Sequence, residues 1–118
     1  MIRVINSKLD ITNYSDLKKI VINAITGNNK ITLSYLNIYV SLYANNNEKF
    51  NKIIDKFDYS YIDGIGVYLA AELLNNEKHS HRIERMTGTD FYFDLLRISE
   101  KNHYKLFLSF VRRKRFQE

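Results

Sequence analysis

Apolar residues recur along the chain in two spacings, the two-residue period of strands and the three-to-four-residue period of helices. The strand-like runs are residues 3–5, 9–11, 30–36, 59–62 and 104–109. The helix-like runs are residues 15–25, 38–44, 48–57, 67–74 and 91–100. Strands that alternate with helices in this way predict a layered α/β fold with a largely parallel sheet.

The ends and inner faces of these helices follow from particular residues. Ser15 or Asp16 is predicted to cap the first helix, and the turn at residues 27–29 to end it. In the helix at 48–57, four apolar residues are predicted to face inward: Phe50, Ile53, Ile54 and Phe57. Residues 104–109 are predicted to form a final strand with an unpaired edge, so self-association or poor solubility is expected.

Length and composition indicate one ordinary globular unit. The 118 residues predict a single domain over 1–118, ending in a basic tail at 110–118. Cysteine is absent, which is typical of a reducing compartment, and we expect a cytoplasmic location. The sequence has no run of about 18 apolar residues that would span a membrane.

The positive charge of the chain is concentrated at one end. Of the net charge of +5, four charges come from the run at residues 112–115. The rest of the chain therefore has no broad basic field for nucleic acid, and no nucleic-acid partner is predicted. The run itself is either a solvated tail, a contact to an anionic membrane surface or, as a competing hypothesis, a nucleic-acid contact.

A strand-to-helix turn at residues 61–67, Y-I-D-G-I-G-V, is the first candidate for chemistry. It places Asp63 at the carboxyl edge of the sheet, where a carboxylate can act as a general base or bind a sugar hydroxyl. Gly64 and Gly66 allow a sharp bend and close approach to a ligand, and the next helix directs free N–H groups at the same place. The alternative is a tight structural turn with Asp63 as a cap.

The second candidate is R-M-T-G-T-D at residues 85–90. Arg85 could bind a diphosphate, and Gly88 permits an unusual backbone angle. Thr89 or Asp90 is predicted to cap the next helix, which leaves its other N–H groups open to an anion. The alternative is an ordinary helix cap beside an arginine at the surface. These residues are named the 85–90 bend, and residues 63–66 the 63–66 bend. We expect the two bends to lie close together and to bind one common ligand.

Other polar residues give weaker indications. Asn37 follows a predicted strand and offers both a donor and an acceptor to a ligand; the alternative is an ordinary helix cap. His79, His81 and His103 lack companion ligands and are expected to be surface residues. No phosphate-binding loop, hydrolase elbow or D-x-D motif is present, so neither a metal nor another cofactor is predicted.

Taken together, these motifs resemble the WecG/TagA/CpsF family of glycosyltransferases, glycosyltransferase family 26. The resemblance runs from about residue 31 to residue 108. It is carried by L-N-I-Y-V-S-L-Y-A at 36–44, Y-I-D-G-I-G-V-Y-L-A-A-E-L-L at 61–74, R-M-T-G-T-D-F at 85–91 and Y-K-L-F-L at 104–108. The family often has threonine two residues before the asparagine matched to Asn37, where this chain has Tyr35.

The resemblance implies a Rossmann-like enzyme, with helices on both faces of its sheet, at the inner face of the cell membrane. Members move N-acetylmannosamine or a related sugar from a UDP-sugar to a polyprenyl-diphosphate-linked sugar in teichoic acid, common antigen or capsule synthesis. They also tend to self-associate. On that analogy Asp63 is the catalytic base, and the substrate-binding residues are Asn37, Gly64, Gly66, Arg85, Gly88, Thr89 and Asp90.

The resemblance also predicts that the sheet is incomplete at its C-terminal side. After Leu108 the family continues with a glycine-rich turn and further motifs, whereas this chain continues with residues 109–118. Two hypotheses therefore stay open. The chain is a transferase, alone or completed by a partner chain, or it is an inactive truncated fragment that serves as a binding or assembly module or is a remnant.

Overall fold

A computed structural model describes residues 2–75 and 82–110 of the chain. Short strands and helices alternate along this part and give a mixed α/β fold. The strands are β1 (Ile2–Val4), β2 (Ser7–Leu9), β3 (Leu33–Leu36) and β4 (Tyr59–Ile62). The helices are α1 (Tyr14–Thr26), α2 (Ile38–Asn46), α3 (Glu48–Asp55), α4 (Ile65–Leu74) and α5 (Gly88–Asn102).

The strands form two small sheets, one antiparallel and one parallel. β1 and β2 make an antiparallel hairpin. β3 and β4 run parallel, with Leu36 opposite Ile62, and α2 and α3 form the connection between them. The predicted α/β class is confirmed in this form. Two strand pairs do not establish the larger Rossmann-like, mostly parallel sheet with helices on both faces.

β4 has a parallel neighbour on each side. On one side it pairs with β3, and on the other Ile11 forms an isolated parallel bridge with Tyr61. The N–H of Ile11 donates to the Ser60 carbonyl at 2.9 Å, and the N–H of Ile62 donates to the Ile11 carbonyl at 3.3 Å. Because all three segments run in the same direction, their carboxyl ends meet at one edge.

The core lies between this sheet, the hairpin and three helices. Ser34 and Leu36 in β3 and Ser60 and Ile62 in β4 point to one buried face, as the two-residue period of a strand requires. The buried apolar residues that form the core cluster are Ile2, Val4, Leu9, Ile11, Leu17, Leu36, Tyr61, Ile62, Val67, Ala71, Met86 and Phe91.

The predicted strand at residues 104–109 is wrong. α5 ends at Asn102 and is capped by His103, which has a left-handed φ of 58°, and residues 104–110 have no regular structure. Phe107 is 92% exposed and Leu108 57% exposed. The segment pairs with none of the described strands, and the N–H of Tyr104 instead donates to the Ser99 carbonyl of α5 at 2.9 Å. The sheet edge expected there is not formed, although self-association stays a prediction.

Two predicted helix caps are also wrong by a few residues. Asn13, not Ser15 or Asp16, caps α1 and accepts the N–H of Asp16 at 2.9 Å. Thr87, not Thr89 or Asp90, caps α5 and accepts the N–H of Asp90 at 3.2 Å. In both cases the cap stands three residues before an acidic residue in the first turn, which is a recognised start signal.

The inward face predicted for α3 is only partly correct. Ile54 is buried, but Ile53 is 48% exposed and Phe50 and Phe57 are half-buried. Phe50 packs edge-on against Tyr43 of α2, with ring centroids 4.7 Å apart. α3 therefore packs largely on its neighbouring helix and less on the sheet.

Some predictions fall on residues outside the described ranges. These are the surface positions of His79 and His81 and the basic run at residues 112–115. His103 lies in the described part and is exposed, as expected. None of the helices described for this chain is both long and apolar enough to cross a membrane.

Candidate active site

The parallel pair delivers two polar side chains to the same edge. β3 ends at Leu36 and is followed by Asn37, while β4 ends at Ile62 and is followed by Asp63. The N–H of Asp63 donates to the Leu36 carbonyl at 3.0 Å, so the strand pairing continues one residue past Ile62. Asn37 and Asp63 therefore lie side by side, both half-buried, at the carboxyl ends of adjacent strands.

The 85–90 bend lies directly on this edge. The N–H of Gly88 donates to Asp63 Oδ1 at 2.9 Å, and the N–H of Gly64 donates to the carbonyl of the fully buried Met86 at 2.8 Å. The expected meeting of the two bends is present in the structure. Asp63 Oδ2 has no hydrogen-bond partner within residues 2–75 and 82–110, so this oxygen is available to a ligand.

Gly64 is the residue that lets the chain turn from β4 into α4. Its φ of 91° and ψ of 173° lie in a region that essentially only glycine adopts. As the N-cap of α4 it has no side chain to satisfy the helix N–H groups. The N–H groups of Ile65 and Gly66 have no acceptor among the described residues, so they stay available to an anion beside Asp63.

Gly66 has a packing role in the structure. A Cβ added at this position would lie 3.3 Å from Cβ of Ile38, tighter than an ordinary contact. The small residue therefore lets the first turn of α4 approach the first turn of α2 closely. The ligand approach predicted for Gly66 stays a prediction.

The start of α5 supplies a second set of N–H groups. Gly88 is the first residue of this helix, and its φ is not positive, so the unusual backbone angle that a glycine permits is not adopted here. Thr89 and Asp90 lie exposed in the first turn. The N–H of Thr89 has no partner within the ranges that the structure describes. Two helix N-termini, those of α4 and α5, thus converge near Asp63.

Asn37 is a helix cap in the structure. Its Oδ1 accepts the N–H of Val40 at 2.8 Å, which is the structural alternative considered from the sequence. This contact uses only the amide oxygen. The Nδ2 donor has no partner in the described part of the chain and remains free to bind a ligand next to Asp63.

Arg85 is exposed and forms no ion pair with any residue that the structure describes. Arg82, three residues earlier, instead pairs with Glu84 at 2.9 Å. Of these two arginines in the same segment, Arg85 therefore carries the uncompensated charge. It lies between Glu84 and Met86, whose backbone groups are bound to Thr12 and Gly64, so the backbone at Arg85 is held on both sides.

Aromatic residues line the strand face next to this edge. Tyr35 and Tyr61 are opposite each other in β3 and β4, and they precede Asn37 and Asp63 by two residues each. Tyr61 is buried against Phe91, with ring centroids 5.5 Å apart, whereas Tyr35 is 50% exposed. Burial, together with the Asp63 carboxylate, raises the pKa of Tyr61 to about 12.

This pKa predicts a loss of stability at high pH that depends on Tyr61. The folded state holds the phenolic proton more tightly than the unfolded state, so the stabilisation is complete below pH 10 and is lost as pH rises toward 12. We expect the urea midpoint of Tyr61→Phe to fall less between these pH values than that of the wild type. An equal fall in both proteins would contradict this.

Two surface recesses lie away from this edge. One of about 240 Å³ includes Ile31 and Tyr59, and one of about 250 Å³ includes Thr32 and Phe57, near the amino ends of β3 and β4. Neither includes Asp63. Within residues 2–75 and 82–110, no three His, Asp or Glu side chains form a group that could hold a metal ion. The Asp63 edge is distinguished by its carboxylate and its free N–H groups.

Sequence reasoning did not identify two residues that shape this edge. Thr87 caps α5, and its signal was the T-x-x-D spacing at 87–90. Tyr14 accepts the N–H of Thr87 through its hydroxyl oxygen at 3.0 Å, although the two residues are 73 positions apart. No local pattern indicates a contact of that kind.

Comparison with known proteins identifies the family of the chain. No curated protein and no solved structure matches it. A model of the glycosyl transferase WecG/TagA/CpsF family matches residues 2–110, which include both bends and every strand and helix described above. The chain therefore belongs to the WecG/TagA/CpsF family of glycosyl transferases.

Proposed function

We propose that the edge around Asp63 binds a UDP-sugar and a sugar acceptor and transfers the sugar between them. The observation that carries this proposal is the hydrogen bond from the Gly88 N–H to Asp63 Oδ1 at 2.9 Å. It orients a carboxylate whose second oxygen is unoccupied by any described residue. It also places that carboxylate beside the N-termini of two helices, where a diphosphate is favoured.

In the proposed reaction Asp63 acts as the general base. Its free Oδ2 accepts the proton of the acceptor hydroxyl, and the resulting oxygen attacks the anomeric carbon of the donor sugar. The bond between that carbon and the UDP oxygen breaks, and its electron pair leaves with UDP. The departing diphosphate gains negative charge, which the Arg85 guanidinium and the free N–H groups of Ile65, Gly66 and Thr89 stabilise.

Asn37 has a supporting role in this proposal. Its Nδ2 donor lies on the neighbouring strand end, beside the carboxylate, and can bind a hydroxyl of the acceptor or donor sugar. Asp90, exposed in the first turn of α5, shapes the rim of the pocket.

The family resemblance extends the proposal to particular substrates and to a location. The donor is UDP-N-acetylmannosamine or a related hexosamine, and the acceptor is a polyprenyl-diphosphate-linked sugar of a cell-surface polymer. Because that acceptor is anchored in lipid, the enzyme works at the inner face of the cell membrane. Self-association and a larger Rossmann-like sheet around β3 and β4 belong to the same proposal.

The direct test is UDP release from a UDP-N-acetylhexosamine donor in the presence of a lipid-diphosphate acceptor. We expect release that depends on both substrates, and a higher melting temperature when UDP is added, since a ligand of the folded state stabilises it. No turnover, together with an unchanged melting temperature, would contradict the proposal. That result would favour the alternative of an inactive fragment that serves in binding or assembly.

Replacement of Arg85 by Gln is expected to weaken UDP binding about tenfold to a hundredfold, because a charge-assisted hydrogen bond contributes about 1.5–3 kcal/mol. Arg82→Gln is the matched control, since it removes the same charge from the same segment at a residue already paired with Glu84. We expect its dissociation constant for UDP, measured by calorimetry, to stay near the wild-type value. Equal weakening by both variants would show that only general charge matters.

A further inference from the structure

The start of α1 lies at the same sheet edge as Asp63. Ile11 runs parallel to β4 at its bridge with Tyr61, and the chain then turns into α1, whose first residue is Tyr14. Since parallel segments end at one edge, this order brings Tyr14 next to the 85–90 bend. Tyr14 has no part in the proposed chemistry, and its side chain is 70 or more residues from its partners in sequence.

The Tyr14 hydroxyl makes two contacts to the bend. It accepts the N–H of Thr87 at 3.0 Å and donates its own proton to Asp90 Oδ2 at 3.4 Å. Thr87 and Asp90 lie on either side of Gly88, whose N–H orients Asp63. One hydroxyl group therefore holds both flanks of the residue that contacts the proposed base.

A second set of bonds holds the other end of the same segment. Thr12 Oγ1 donates to the Arg82 carbonyl at 2.7 Å, and the N–H of Glu84 donates to the Thr12 carbonyl at 2.8 Å. These bonds tether the chain before Arg85, where the Tyr14 N–H also donates to Glu84 Oε2 at 3.4 Å, whereas the Tyr14 hydroxyl group acts after Arg85. The two tethers come from neighbouring residues of one turn, so their effects on Gly88 can be compared directly.

We propose that Tyr14 is a positioning residue, which holds the 85–90 bend against Asp63 and thereby sets the geometry of the diphosphate-binding groups. It touches neither substrate and acts through Gly88, Thr89 and Arg85. The importance of this geometry for binding rests on the proposed sugar-nucleotide site. The contact of Gly88 with Asp63 can be measured without any substrate.

The test compares Tyr14→Phe with Thr12→Val, each of which removes one hydroxyl group from one tether. Amide hydrogen exchange at Gly88 is measured by NMR, and the dissociation constant for UDP by calorimetry. In Tyr14→Phe we expect about tenfold faster exchange at Gly88 and about tenfold weaker UDP binding, as loss of one hydrogen bond predicts. In Thr12→Val we expect a similar drop in melting temperature but near wild-type values of both quantities.

Three outcomes decide the matter. Unchanged exchange at Gly88 in Tyr14→Phe would overturn the proposal whatever the protein binds. Equal effects of Tyr14→Phe and Thr12→Val would also overturn it, because Tyr14 would then be one structural tether among others. Faster exchange at Gly88 in Tyr14→Phe alone, with no UDP binding by the wild type, would support the positioning role and contradict the transferase proposal instead.

Discussion

Replacement of Asp63 by Asn is expected to lower the turnover of sugar transfer about a hundredfold to ten-thousandfold, the contribution typical of a general base. The amide keeps an oxygen that can accept the Gly88 N–H, so the two bends stay joined. The amide cannot take up the proton of the acceptor sugar's hydroxyl group at neutral pH. We therefore expect normal folding and near-normal UDP binding, and the loss appears in the rate of UDP release at saturating substrate.

Asp55→Asn is the control for this substitution. Asp55 ends α3, is exposed, and has no hydrogen bond or ion pair with any described residue. We expect Asp55→Asn, which makes the same change in charge, to have the turnover of the wild type. If Asp63→Asn retained wild-type turnover, Asp63 would not be the base. If it failed to fold, Asp63→Glu would show whether a carboxylate in altered geometry restores part of the rate.

Replacement of Gly64 by Ala is expected to destabilise the protein by about 1–3 kcal/mol. An added Cβ meets no heavy atom within 4 Å, so the cost comes from the backbone alone, which has a φ of 91°. For a domain of about this size, each kcal/mol corresponds to a fall of about 4–8 °C in melting temperature. Thermal unfolding followed by circular dichroism measures the effect.

Gly88→Ala separates backbone strain from the simple loss of a glycine. Its Cβ would lie 3.5 Å from Asp63 Oδ1, an ordinary contact, and the φ of Gly88 is not positive. Because alanine favours helices more than glycine does, we expect stability equal to or above that of the wild type. Equal melting temperatures for Gly64→Ala and Gly88→Ala would mean that Gly64 is not under the backbone constraint described here.

The order of strands and helices could be predicted from apolar spacing, but their ends were less certain. The strand predicted at 59–62 has the same first and last residues as β4. The helix predicted at 15–25 is one residue shorter than α1 at each end. The caps differed because Asn13 and Thr87 compete with other polar residues within the same turn. The strand predicted at residues 104–109 was wrong for a different reason. A strand needs a neighbouring strand, and local apolar spacing does not reveal whether one is present.

The two bends could be recognised from their glycine, aspartate and arginine residues, and the place of the 63–66 bend at a strand end followed from the parallel arrangement. The sequence did not distinguish the roles of the glycines. Gly64 has the unusual backbone angle, Gly66 permits helix packing, and Gly88 contributes an N–H that any residue except proline has. These roles depend on φ and on neighbouring atoms, which residue type alone does not specify.

By itself the sequence determined the α/β pattern, the placing of Asn37 and Asp63 directly after strands, and the motifs that carry the family resemblance. All of these depend on residues close together in the chain. Only the tertiary structure decided that Gly88 binds Asp63 and that Tyr14 holds Thr87. Those contacts join residues 25 and 73 positions apart, and they form because three parallel segments and two helix N-termini are packed at one edge.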